Sequence, residues 1–279
     1  TNEAEHTTTN GITSFDTDGF SLGNGGTVNE NNSNFVGWQW IANGGTTSSN
    51  YNGSITSTVQ ANTTAGFSIV TYTGTGANAT VGHGLRSAPA FIVTKNRPSG
   101  SYGWYVYHQS LGATKNLYIH SSDSEVTSSD RWNNTSPTST VFSVGTNGGT
   151  NGSAAMLAYC FAEIQGYSSF GKYTGNGNED GPFIYTGFAP EFIITKPSST
   201  TGNWNINDTK RDPINRASQR LNPNLNNAEA SDGALDFLSN GFKIRNTSSA
   251  RNGSGNTIVY MAFARETLTG TNNIAATAK

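Results

Sequence analysis

The feature that most constrains this chain is an internal repeat with a period close to 100 residues. Residues 72–74 (YTG) recur as residues 173–175, and residues 88–95 (APAFIVTK) recur as residues 189–196 (APEFIITK). Both matches have an offset of 101 residues, so the register holds across the first half of the unit. Solenoid repeats have periods of roughly 20–50 residues, whereas a β-sandwich takes about 100. The repeat therefore predicts tandem β-sandwiches.

The second half of the unit occurs three times rather than twice. Each copy begins with a short Phe-led pattern and ends with an apolar run, which we predict to be a strand. The three patterns are residues 20–22 (FSL), 142–144 (FSV) and 242–244 (FKI), and the runs are residues 37–41 (GWQWI), 158–162 (AYCFA) and 260–264 (YMAFA). The chain thus contains two full units and one additional copy of the second half.

We therefore predict an all-β chain of tandem β-sandwich units with an additional N-terminal half-unit. The half-unit and a linking segment occupy residues 1–65, unit 1 occupies 66–164, and unit 2 with a C-terminal tail occupies 165–279. Polar residues 46–65 contain only isolated apolar side chains, and we expect them to add an edge strand. Residues 228–238 suggest a short helical turn, which Gly233 weakens.

Composition excludes several classes of function. The formal net charge is −2 and no basic run is present, so the chain lacks the electrostatic signature of nucleic-acid binding. No apolar stretch reaches the roughly 20 residues of a membrane span, and we expect no membrane insertion. Cys160, the single cysteine, lies in an apolar run and is interpreted as a buried, inert thiol.

The strand patterns also predict the core. We expect Trp38, Trp40, Trp104 and Trp204 to lie in strands and pack inside the protein. We further expect six apolar side chains of the landmark strands to be buried: Phe91, Phe142, Phe161, Ile193, Phe242 and Phe263.

No motif predicts catalysis, a metal site or a cofactor. Residues 176–181 (NGNEDG) resemble the opening of a calcium loop, but Gly187 stands where an EF-hand needs Glu, so a polar turn is favoured. His83, His108 and His120 lack the spacing of a zinc enzyme and are interpreted as structural. The acids that a glycosidase would use, Asp123, Glu125 and Asp130 or Glu179 and Asp180, lie in polar segments.

One loop suggests ligand binding. Trp132, Asn133 and Asn134 lie in a polar segment, within a region that differs between the two units. An exposed Trp can stack on a sugar ring while neighbouring amides bind sugar hydroxyls. The alternative is that Trp132 folds back over the sandwich edge, as large apolar side chains usually do.

The repeat landmarks also suggest a family. The carrying motifs are residues 53–70 (GSITSTVQANTTAGFSIV), 81–85 (VGHGL), 95–97 (KNR), 159–163 (YCFAE) and 172–177 (KYTGNG). Together they resemble an uncharacterised repeated β domain of tail-fibre-like structural proteins of tailed phages, many of them marine. The resemblance covers most of residues 11–266 and supplies no catalytic residues.

The resemblance implies a virion structural protein without enzymatic activity, exposed on a tail fibre or appendage and binding a host surface polysaccharide. The expected partners are a host cell-surface glycan, other virion proteins and further copies of this chain, by analogy a trimer. One alternative is a purely structural role as a fibre shaft, capsid decoration or appendage subunit. A weaker alternative is a glycan depolymerase.

Overall fold

The computed structural model describes residues 2–264 of the 279-residue chain. Strands dominate this part, and its four α-helices are single turns of four residues each. All strand pairs in the sheets are antiparallel. The prediction of an all-β, sandwich-type fold is confirmed.

The N-terminal region contains short elements. They are β1 (Ile12–Phe15), β2 (Phe20–Leu22), α1 (Gly26–Asn29), a 3-10 turn (Asn43–Gly45), β3 (Ser48–Asn50) and β4 (Ser57–Asn62).

The two units follow with closely matching element orders. Unit 1 has β5 (Phe67–Thr73), β6 (Ala79–Gly82), β7 (Pro89–Asn96), β8 (Trp104–His108), β9 (Lys115–Tyr118), β10 (Val126–Thr127), α2 (Ser129–Trp132), β11 (Val141–Val144), α3 (Gly148–Asn151) and β12 (Ala155–Ala162). Unit 2 has β13 (Ser168–Thr174), β14 (Phe183–Tyr185), β15 (Pro190–Pro197), β16 (Asn205–Asp208), β17 (Ala217–Arg220), β18 (Ala230–Leu238), β19 (Gly241–Ile244), α4 (Ser249–Asn252) and β20 (Thr257–Ala264).

In each unit the final strand lies at the centre of the main sheet. In unit 1, β12 lies between β5 and β7 in an eight-stranded sheet of order β10-β9-β8-β7-β12-β5-β4-β3. In unit 2, β20 lies between β13 and β15, in the order β13-β20-β15-β16. Tyr72 in β5 and Tyr173 in β13 thus occupy equivalent strands, as do Phe91 in β7 and Phe192 in β15.

A smaller sheet packs against one face of each main sheet and encloses that unit's own core. It consists of β6 and β11 in unit 1, and of β14, β19, β18 and β17 in unit 2. Segment 46–65 adds β3 and β4 to the unit 1 sheet, as expected, and residue 65 lies in the turn between the paired strands β4 and β5.

The main sheets are buried on both faces because their side chains alternate between two cores. Ile92 and Cys160 face the core of unit 1, whereas Phe91 and Phe161 face a second core that both units and the N-terminal region share. All six side chains predicted as core are buried, and so is Cys160, which confirms these assignments. Burial raises the pKa of the Cys160 thiol, in keeping with an inert group.

The half-unit reproduces only part of a unit. Phe15 opposes Phe20 in the β1–β2 hairpin, as Phe237 opposes Phe242 between β18 and β19. The expected strand at residues 37–41 is wrong, because this segment pairs with no strand. A final strand needs the first and third strands of its unit on either side, and the half-unit has neither.

Two further expectations need correction. Residues 228–238 do not form a helical turn, because β18 occupies most of them and pairs with both β17 and β19. Trp38 and Trp40 are half-buried against the shared core but lie outside any strand, whereas Trp204 is buried immediately before β16.

Candidate functional site

The sugar-stacking site predicted from the sequence is not formed. Trp132 is the last residue of α2 and only 1% exposed, packed edge-on against Tyr107 with ring centroids 5.9 Å apart. Asn133 and Asn134 follow with φ angles of 49° and 48°, left-handed values that Asn tolerates better than most residues. The helical turn directs the Trp132 ring into the unit 1 core, so it cannot meet a ligand.

The histidines occupy structural positions. His83 and His108 are buried, and burial lowers the pKa of each imidazole to about 4. His120 accepts a hydrogen bond from the backbone N–H of Trp104. Across residues 2–264, no three His, Cys, Asp or Glu side chains group closely enough to hold a metal ion.

Two of the acidic residues considered for hydrolysis pair with cations in unit 1. Glu125 pairs with Lys115, and Asp130 pairs with the neighbouring Arg131. In the 176–181 turn, Asn176 and Asn178 side chains accept backbone N–H bonds two residues ahead, which is the favoured polar turn.

The exposed aromatic side chains identify a different surface. Phe183 is 46% exposed and Tyr185 67% exposed, at alternate positions of the edge strand β14. Ile184 between them is buried in the unit 2 core. Because strand side chains alternate between faces, the two rings project from the same outer face of the sheet.

Charged side chains extend this face across the neighbouring strands. Lys243 on β19 lies opposite Phe183 and also opposite Asp236 on β18. Its ammonium contacts Asp180 at 2.8 Å, and Arg245 contacts Asp236 at 3.2 Å. The hydrogen bond from Lys243 is the main cause that lowers the pKa of the Asp180 carboxyl. Together with the two rings, these four charged residues make up what we call the aromatic platform.

A glycine keeps the platform open beside Tyr185. Gly241 lies directly opposite Tyr185, and a Cβ there would fall 2.0 Å from the carbonyl oxygen of Ile184. Only glycine fits this close approach of two backbones. The Tyr185 ring therefore has no side chain directly across from it on β19.

Unit 1 has no equivalent platform. The corresponding strand β6 carries Thr80 and Gly82 where β14 carries Phe183 and Tyr185. Its edge is also covered, because Ile55 forms a parallel bridge with Val81 and Ser54 hydrogen-bonds to Thr80. Among residues 2–264, an exposed aromatic strand face of this kind occurs in unit 2 and not in unit 1.

The chemistry of the platform suits a polyhydroxylated ligand. Aromatic rings pack against the C–H faces of sugars, while carboxylate, ammonium and guanidinium groups bond to hydroxyls. Two acids and two bases balance in charge, which favours hydroxyl groups over a charged ligand group. Phe183 and Tyr185 are not among the site residues predicted from the sequence, although two aromatics at alternate positions of a strand are a recognisable signal.

The fold and this surface define an all-β, sandwich-type protein with an exposed aromatic face. The chain belongs to the family described as domain of unknown function DUF7483, which matches residues 1–267. No curated protein matches it, and no solved structure does. Within residues 2–264, no helix has the length and apolar character needed to cross a membrane.

Proposed function

We propose that this protein is a virion structural component that adheres to the host surface by binding a polysaccharide without cleaving it. The observation that carries the proposal is the pair of exposed rings, Phe183 and Tyr185, beside a charge-balanced set of polar groups. The resemblance of the repeat landmarks to tail-fibre-like phage proteins supports the virion assignment and an exposed location on a fibre or appendage.

The size of the platform indicates weak binding by a single copy. Two stacked rings and a few exposed polar groups correspond to an affinity on the order of millimolar, or about 4 kcal/mol. Linked copies raise avidity by about 10²–10⁴ without any new contact. A homo-oligomer, by analogy a trimer, therefore forms part of the proposal.

A purely structural role is the second candidate, and the N-terminal region favours it. Phe15 is 84% exposed, Ile41 69% and Phe35 50%, all on the incomplete half-unit. Apolar groups concentrated in this way mark assembly surfaces. The two roles are compatible, because the platform and the half-unit use different residues.

A glycan array tests adhesion directly, with the purified chain and glycans from candidate hosts. We expect Tyr185→Ala to reduce binding at least tenfold, since the most exposed ring of the platform is lost. Tyr51→Ala is the matched control, because Tyr51 is 76% exposed but lies between β3 and β4, outside the platform.

Two outcomes would contradict the proposal. Equal glycan binding by Tyr185→Ala and the wild type would remove the platform from adhesion. Release of reducing sugar ends from a bound polysaccharide would make the protein a depolymerase instead.

A further inference from the structure

The outer edge of β14 presents backbone groups beside the two exposed rings. Pro182 O accepts and Thr186 N–H donates a hydrogen bond on the side of β19, at 3.1 and 3.0 Å. In an antiparallel pair, alternate residues direct their backbone groups to opposite sides of the strand. The N–H and C=O groups of Phe183 and Tyr185 therefore point away from β19, out of the sheet edge.

The equivalent edge of unit 1 is bound by the segment that leads into β4. The outward groups there belong to Thr80 and Gly82. Thr80 N–H donates to the Ser54 hydroxyl at 2.9 Å, and Thr80 O accepts from Ile55 N–H at 3.0 Å. Gly82 O accepts from the Ser57 hydroxyl at 2.7 Å. Two hydroxyl groups and one N–H thus satisfy this edge in unit 1.

The edge of unit 2 has no such cover in the part of the chain that the structure describes. Within residues 2–264, no group hydrogen-bonds to the outward N–H and C=O of Phe183 and Tyr185. Such groups need a partner from solvent or from a ligand. Because β14 has only three residues, its edge is a poor template for a further strand. Separate hydroxyl groups, as in unit 1, suit it better.

The two aromatic rings lean the same way along β14. A Cβ on Gly241, which lies opposite Tyr185, would fall 3.1 Å from the Phe183 ring, so this ring leans towards Tyr185. A Cβ on Gly187 would fall 3.7 Å from the Tyr185 hydroxyl oxygen, so the second ring leans towards the loop after the strand. Two residues of a strand span about 6.6 Å, which is comparable to the length of one sugar residue in a polysaccharide. Successive sugars can therefore stack on successive rings.

The charges of the aromatic platform disfavour an acidic ligand. Lys243 pairs with Asp180 at 2.8 Å, and Arg245 pairs with Asp236 at 3.2 Å, so both cations already have carboxylate partners. Glu179 adds an exposed carboxylate next to Asp180. Three carboxylates and two cations repel an anionic polysaccharide, whereas neutral sugar hydroxyls can donate to carboxylate oxygens.

We propose that the ligand is an uncharged polysaccharide that runs along β14, with two successive sugars stacked on Phe183 and Tyr185. Hydroxyls of these sugars bond to the outward backbone groups of the same two residues, as the hydroxyls of Ser54 and Ser57 bond to the edge of unit 1. The ligand class rests on the proposed adhesive function. It makes the backbone edge part of the binding site and sets two sugar residues as the smallest unit that binds fully.

Defined oligosaccharides on a glycan array test the ligand class. The probes are gluco-, galacto- and manno-oligosaccharides of one to six residues, together with the corresponding uronic acid oligomers. We expect the neutral chains to bind, at least about tenfold more strongly with two residues than with one, because the second sugar reaches the second ring. Binding should change less than about twofold between about 50 and 500 mM NaCl, since salt screens only charged contacts.

Two variants at Phe183 test the backbone contact. Leu and Pro both remove the ring, but Pro also removes the outward N–H, a loss that an edge strand tolerates. We expect Phe183→Leu to weaken binding of the best neutral hexasaccharide about fivefold, and Phe183→Pro to weaken it at least about fivefold more. Circular dichroism and thermal unfolding check that both variants are folded.

An O-methylated form of the same hexasaccharide tests the edge without changing the protein. Its sugar rings can still stack on the aromatic rings, but its methylated oxygens cannot donate to the carbonyl oxygens of Phe183 and Tyr185. We expect the methylated chain to bind at least about tenfold more weakly than the unmodified one.

Some results would overturn the ligand assignment while adhesion stands. They are stronger binding of the uronic acid oligomers, equal binding of one and two sugars, equal binding by the two Phe183 variants, or undiminished binding of the methylated chain. Binding that Tyr185→Ala leaves unchanged, or no binding to any glycan, would instead refute adhesion through the platform and the assignment with it. Self-association of the chain that Phe183→Pro abolishes would show that a strand of a second copy occupies the edge.

Discussion

Replacing Asn252 by Ala tests the buried side-chain hydrogen bonds that link the segments of unit 2. Asn252 is fully buried, accepts from the backbone N–H of Asn176 at 2.9 Å, and donates to Asn178 O at 2.6 Å and Asn246 O at 2.8 Å. The truncation leaves one buried N–H and two carbonyls without these partners. Asn252 links the loop between β13 and β14 to the residues that follow β19. The truncation breaks this link.

The expected loss of unfolding free energy follows from the number of buried polar groups that the substitution leaves without a hydrogen-bond partner. A buried polar group without a partner costs about 1–3 kcal/mol, so three groups cost about 3–5 kcal/mol if water partly replaces the amide. Asn29→Ala is the matched control, since Asn29 ends the equivalent helix but is exposed and makes a single side-chain bond, to Gly23 O at 2.9 Å. Its loss should cost below about 1 kcal/mol.

Urea unfolding followed by circular dichroism measures both variants against the wild type. We expect a clear loss of unfolding free energy for Asn252→Ala and almost none for Asn29→Ala. Similar losses for the two variants would refute it, because the exposed and buried sites would then be energetically equal.

Three further predictions concern stability and binding. Trp132→Ala should lower the unfolding free energy by about 3–5 kcal/mol, because it leaves a cavity beside Tyr107. Thermal or urea denaturation measures this loss, and an unchanged unfolding free energy would contradict the burial of the Trp132 ring. Gly241→Ala should push β14 away from β19, because its Cβ meets Ile184 O, and should weaken glycan-array binding along with stability. His108 is neutral in the fold because burial lowers its pKa to about 4, so protonation favours the unfolded chain and stability falls as the pH drops from 6.5 to 4. His108→Gln should remove about 3 kcal/mol of that pH dependence in urea titrations at the two pH values, and an unchanged slope would contradict this account.

The periodic pattern predicted the landmark strands of the two full units and their six core side chains. Phe91 recurs as Phe192 and Phe161 as Phe263, at offsets of 101 and 102 residues. The length difference falls outside the strands, because an inserted residue inside a strand would turn every later side chain to the other face. The position of a residue in the repeat therefore predicts which strand and which face it occupies, and the pattern of a single strand does not predict both.

The pattern failed where tertiary contacts decide the outcome. Residues 37–41 match two true strands in composition, but a strand also needs neighbours, and those lie in a part of the unit that the half-unit lacks. Trp132 stands among polar residues, yet a single helical turn directs its ring inward. The aromatic platform combines β14, β18 and β19, and no local sequence window contains all three.

The most direct test of adhesion through the aromatic platform is an amide chemical-shift map of the full chain titrated with a host surface polysaccharide. The account predicts shifts at residues 180–185 and 241–245, with residues 129–135 of unit 1 unaffected. Shifts confined to unit 1, or none at residues 180–185, would contradict it.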